Sequence, residues 1–143
     1  MAAERTAQVT WSGSLLEGSG TIDRVGSGAF GPLDVTWASR TEESNGRTSP
    51  EELIAAAHAS CFSMAFSGAL AKAGTPPERL ETSATVTFVP GEGITKSALR
   101  VRGSVPGMDE DAFHAAAETA NDNCPVSKAL AGVPEITLDA SLS

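Results

Sequence analysis

Two residues in this chain of 143 can act as nucleophiles through sulfur, Cys61 and Cys124. In such a chain the pair is not expected to be a structural staple, since reducing compartments keep thiols apart unless the pair is catalytic or redox-sensing. The plainer alternative is two buried free thiols acting as small hydrophobes, and the residues around each decide between them. A cysteine attacks as thiolate, and its ordinary pKa of about 8.5 leaves only a few per cent ionised at neutral pH unless positive charge lies close. Arg40 is the best candidate for that charge. It follows Trp37-Ala38-Ser39 and precedes the polar loop leading to the Cys61 segment, and a guanidinium stays charged even when partly buried. Arg47, in the same loop, is the rival.

Cys61 lies in a run with a strong helix-start signal: Ser49 as N-cap, Pro50 at the first helical position, and Glu52 completing a capping box. With Glu52 engaged locally, Glu51 is the acid left over to hold an arginine in a bidentate pair, although a solvated first-turn carboxylate is the more ordinary fate. Glu51 precedes Cys61 by ten residues, about 15 Å along a helix axis. Glu51 therefore cannot touch its own Cys61, and one shared site requires a long arginine between them or Glu51 of a second chain. Cys124-Pro125-Val126-Ser127-Lys128 reads as another helix start with the thiol at the cap, a position that favours anionic sulfur. On these residues alone either cysteine could attack.

His58, three residues before Cys61, faces the same side of the helix, so a Cys-His pair has to be weighed; a buried, hydrogen-bonded core histidine is the simpler reading. Two cysteines and one histidine without close Cys-x-x-Cys spacing do not make a closed zinc site, and His114 reads as a surface residue on an acidic helix. No metal and no bound organic cofactor is expected.

The elements that must position these groups follow from periodicity. Ala7-Val9-Trp11, Thr21 to Val25 and Asp34 to Ala38 alternate as strands, separated by glycine-rich turns, and an antiparallel meander is the simplest arrangement. After the central helix, Thr82 to Phe88 and Leu99 to Val105 form a second strand pair. Asp109 to Asn121 is an amphipathic helix with acids in its first turn, a short helix runs from Pro125, and Ile136 to Leu142 is a last strand. The order βββ-α-ββ-α-α-β places the chain in the α+β class, and 143 residues suit a single domain spanning 1–143.

Composition excludes several partners. A net charge of −8, from 10 basic and 18 acidic residues, gives no clustered cation surface for nucleic acid or anionic membrane. Leu53 to Ala71 carries no charged residue and approaches the length of a membrane span. It is mostly Ala, Ser and Gly, contains His58 and lacks aromatic residues that anchor at an interface, so it reads as a buried central helix. The first residues show no apolar signal segment, and a cytoplasmic location is expected.

Two motifs, Thr48 to Ala65 (TSPEELIAAAHASCFSMA) and Cys124-Pro125-Val126-Ser127-Lys128, resemble the OsmC/Ohr family, as do Trp11-x-Gly13, Val105-Pro106-Gly107 and Glu135-Ile136-Thr137-Leu138. The likeness covers nearly the whole chain and is closer to OsmC than to Ohr. It implies an OsmC-like fold, with antiparallel sheets around a long buried central helix in an intertwined homodimer. It also implies a peroxidase that reduces organic hydroperoxides, and hydrogen peroxide less efficiently. By that resemblance Cys61 attacks the peroxide, Cys124 resolves the sulfenic acid to a disulfide, and a small dithiol or lipoyl-type reductant restores both. Arg40 is then the cation beside the thiolate, with Glu51 as its partner. The pattern departs at Ser49, where relatives often have Asn, and in an Arg40–Glu51 loop one residue longer, which keeps Arg47 in contention. Outside the resemblance, the competing readings are a non-catalytic stress protein binding a hydrophobic ligand and a hydrolase using His58 and Cys61.

Overall fold

Glycine at tight turns and alternating side chains between them shape the first fifty residues. In the computed structural model, which describes residues 1–143, the chain forms two compact units, residues 1–50 and 51–143. In the first, β1 (Ala7–Ser12), β2 (Ser19–Val25) and β3 (Leu33–Val35) form an antiparallel sheet in that order. The β1–β2 turn needs Gly18, because a Cβ there would collide with the carbonyl oxygens of Ser12 and Ser14. The third strand is shorter than the alternation through Ala38 predicts. Thr36 and Ser39 each donate a backbone amide to the other's hydroxyl at 3.0 Å, a capping box that starts helix α1 (Trp37–Thr41). Local hydroxyl bonding thus overrides the strand pattern. Arg40 sits in the last turn of this helix, its guanidinium carbon 5.8 Å from the centroid of the Trp37 ring.

The second unit is built on helix α2 (Pro50–Lys72), followed by β4 (Arg79–Val89), β5 (Gly93–Ser104), α3 (Glu110–Asn123), α4 (Pro125–Ala129) and β6 (Glu135–Leu142). Strands β4 and β5 pair antiparallel, as their hairpin spacing requires, whereas β6 joins the far edge of β5 in parallel. A parallel return needs a crossover connection, and α3 with α4 supplies it. Residues His58, Phe62, Phe66 and Leu70 recur every four positions on α2 and are buried. The three apolar ones share a core with Leu99 and Val101 of β5, Phe113, Ala117 and Ala120 of α3, and Cys124. The Phe66 ring lies 5.6 Å from Phe62 and 5.1 Å from Phe113, centroid to centroid. Gly103 lets Phe113 approach the sheet, since a Cβ there would meet its ring at 2.7 Å. Helix α2 is long and apolar enough to cross a membrane, yet this stripe makes it a core helix, and other positions such as Met64 are exposed.

One polar thread crosses the apolar core. Ser97 lies in phase with Leu99 and Val101 on the buried face of β5, and its hydroxyl is 2.7 Å from His58 Nδ1. His58 Nε2 is 2.7 Å from the Ser127 hydroxyl of α4, which donates to Asn121 Oδ1 of α3, also at 2.7 Å. No buried side-chain nitrogen or oxygen is left without a partner, so the thread escapes the penalty of about 1–3 kcal/mol for each unpaired group. Burial lowers the His58 pKa and keeps the imidazole neutral.

Two outcomes follow for stability. Phe66→Ala should cost about 3–5 kcal/mol in urea unfolding, because it empties the centre of the aromatic cluster. Below pH 6.5, the ordinary histidine value, the unfolded chain takes up a proton at position 58 that the folded chain resists. That contribution is complete above the ordinary value and is lost as pH falls towards the depressed folded value, at no more than about 1.4 kcal/mol per pH unit. Comparing urea midpoints at neutral and mildly acidic pH, wild type should lose this increment and His58→Gln should not.

Candidate active site

Cys61 lies on α2 one helical turn beyond His58, and Cys124 is the N-cap residue of α4, immediately after α3 ends. Pro125 opens α4 without needing an amide partner. Both thiols are free, and they lie close enough for each to shift the ionisation of the other. Cys124 has no exposed surface, while Cys61 is half-buried, so a molecule arriving from solvent meets Cys61 first.

The electrostatics of the pair are asymmetric. Burial pushes the Cys61 thiol up, and the neighbouring Cys124 adds to the rise against an opposing pull from the Val126 amide. Burial also works to raise Cys124, but the Ser127 amide, the Ser127 hydroxyl, Cys61 and the Val126 amide together outweigh it, and the thiol is held below its ordinary value. The neutral thiol makes no side-chain capping bond to α4, so these groups act by favouring the anion. Within residues 51–143 the surroundings therefore favour the anion on Cys124 over the anion on Cys61.

The structure brings Cys61 and Cys124 together and holds Glu51 of the same chain away from Cys61. Glu51 is buried in the first turn of the same continuous helix as Cys61, about 15 Å away along its axis. Arg40 and Arg47 belong to the first compact unit, Arg40 in α1 and Arg47 in the turn closed by its amide on the Ser44 carbonyl at 2.9 Å. His58 does not serve Cys61 as a base, because both ring nitrogens are engaged by serines. No group of three or more His, Cys, Asp or Glu side chains gathers where it could hold a metal ion.

Ser127, Ser97 and Asn121 are the residues around the pair that sequence reasoning passes over. Ser127 carries a signal, since it lies one turn after Cys124 at the head of a helix. Ser97 carries a fainter one, a hydroxyl in phase with the apolar face of β5. Asn121 carries none.

Comparison with known proteins agrees with this architecture. The family described as "OsmC-like protein" matches residues 43–139. The chain is 40% identical to peroxiredoxin OsmC of Escherichia coli over 145 aligned positions, covering 99% of each. It is 35% identical to the organic hydroperoxide resistance protein of Xanthomonas axonopodis over 94 positions, 64% of this chain and 65% of that one. A crystal structure of an organic hydroperoxide resistance protein from Elizabethkingia anophelis superposes with a TM-score of 0.71 at 22% identity, covering 100% of each chain. The two small sheets and long central helix are thus the fold of these proteins, and the chain belongs to the OsmC-like protein family.

Proposed function

We propose that this protein is a thiol peroxidase that reduces organic hydroperoxides, and hydrogen peroxide less efficiently, with Cys61 as the attacking and Cys124 as the resolving residue. The observation that carries this reading is a pair of neighbouring free thiols of unequal access. The names borne by its relatives, peroxiredoxin and organic hydroperoxide resistance protein, support the same chemistry.

In the first step the Cys61 thiolate attacks the distal oxygen of ROOH. The O–O bond breaks, the alkoxide takes a proton to leave as ROH, and Cys61 becomes a sulfenic acid. In the second, the Cys124 thiolate attacks the Cys61 sulfur and expels hydroxide, which leaves as water after protonation, and a disulfide forms. A small dithiol or lipoyl-type reductant supplies the two electrons that restore both thiols. Cys61 needs positive charge for the first step, because its surroundings in residues 51–143 raise its pKa. Arg40 is the assigned cation and Glu51 its partner. The helical distance between Glu51 and Cys61 favours a homodimer in which each site draws Glu51 from the second copy. In this reading residues 1–143 act as one functional domain, in the cytoplasm, without metal or organic cofactor.

The test is consumption of cumene hydroperoxide by the reduced protein with excess dithiol, with the thiols followed by mass spectrometry. Wild type should turn over, Cys61→Ser should be silent, and Cys124→Ser should accumulate a sulfenic acid on Cys61. Absence of turnover with every dithiol would favour a non-catalytic protein that binds a hydrophobic ligand. Arg40→Ala should slow sulfenic acid formation by about 10- to 100-fold, the effect of losing a thiolate-stabilising charge. Arg47→Ala should leave that rate near wild type; the reverse ranking in stopped-flow kinetics would transfer the role to Arg47.

A further inference from the structure

The thread Ser97–His58–Ser127 ends beside the resolving sulfur, and its hydrogen atoms can be assigned one by one. Asn121 Oδ1 can only accept, so the Ser127 hydroxyl donates to it at 2.7 Å. With that hydrogen committed, the 2.7 Å contact from His58 Nε2 must be an N–H donating into the Ser127 oxygen. Neutral His58 then has an unprotonated Nδ1, which accepts the Ser97 hydroxyl hydrogen at 2.7 Å. Three donors thus run head to tail from β5 through α2 to α4. His58 occupies an accepting lone pair of Ser127, so the serine's single hydrogen has to point outward, either to Asn121 or towards Cys124, the N-cap residue of the same turn of α4.

We propose that His58 and Ser127 are positioning residues for the second half-reaction: the imidazole holds the Ser127 hydroxyl as a donor, and that hydrogen turns from Asn121 to Cys124 when the resolving sulfur ionises. The proposal rests on the two-cysteine cycle above and deepens it by naming what holds the attacking form of Cys124. Head-to-tail donation strengthens each member of such a chain, and a hydroxyl already accepting from an N–H is a better donor to an anion. The lowered pKa of Cys124, to which the Ser127 hydroxyl contributes, agrees with this. Among residues 51–143 the other titratable group touching the Cys124 sulfur is Cys61 on α2; His58 acts on it only through Ser127. Neither His58 nor Ser127 acts directly on Cys61; loss of the Ser127 bond reaches it only through Cys124, and less charge on Cys124 makes Cys61 easier to ionise, so the first half-reaction is not slowed.

The experiment has two parts. In a Cys61→Ser background, where Cys124 is the sole thiol, ultraviolet thiolate absorbance is titrated with Ser127 intact, with Ser127→Ala and with Ser127→Thr. Ser127→Ala should reduce the thiolate fraction on the rising limb by about tenfold, the scale of one lost hydrogen bond to an anion, and Ser127→Thr should restore it. In the two-cysteine protein, quenched-flow mass spectrometry should show sulfenic acid forming on Cys61 no slower than in wild type in Ser127→Ala, with its conversion to disulfide slowed by about tenfold and recovered in Ser127→Thr. His58→Gln should slow the same conversion and spare the first step. Unchanged titration and unchanged disulfide formation in Ser127→Ala would overturn the proposal, as would a defect that Ser127→Thr fails to restore. If no variant, wild type included, formed a sulfenic acid, the peroxidase reading would fall, and the titration alone would judge the hydrogen-bond chain.

Discussion

Two thiols on different helices stay near each other only if the helices cannot slide past each other, and in residues 51–143 much of that constraint falls on the imidazole of His58. A ring with no exposed surface must have both nitrogens satisfied, and here the partners come from β5 and α4. Sliding α2 by a fraction of a turn would break both bonds at once and leave three polar groups unpaired in an apolar core. Apolar packing alone is less demanding, because the Phe62, Phe66 and Phe113 rings can readjust against one another at modest cost. The aromatic cluster therefore provides the cohesion, and the polar thread fixes the register at which Cys61 meets Cys124.

Much of the architecture was legible because its signals are local. The start of α2 at Pro50, the paired strands β4 and β5 and the acidic first turn of α3 each follow from a few adjacent residues. Two features were not legible for definite reasons. Alternation from Ile136 to Leu142 looks the same whether the strand runs parallel or antiparallel, and only the path through α3 and α4 sets its direction. The segment ending in Trp37 and Ala38 has strand-like alternation, but Thr36 and Ser39 bond locally and turn it into a helix. At the site, the core-histidine reading of His58 holds, while its partners lie 39 and 69 residues away in sequence, beyond the reach of any spacing argument.

The two cysteines are asymmetric in their electrostatics as well as in their access. Within residues 51–143 the surroundings stabilise charge on the sulfur with no exposed surface and disfavour it on the one that solvent reaches. In the proposed cycle, activation of Cys61 is supplied by a cation from residues 1–50, whereas Cys124 is served by the thread and the head of α4.

The buried placement of Cys124 has a bearing on regeneration. A disulfide between these residues would offer an incoming dithiol only the Cys61 sulfur, since the other has no exposed surface. The mixed disulfide would then form on Cys61, and Cys124 would be the departing group. Departure is faster for a thiol of lower pKa, and Cys124 is the one held low. The same surroundings that make Cys124 a ready nucleophile therefore make it a ready leaving group, and they direct the reductant to a single sulfur.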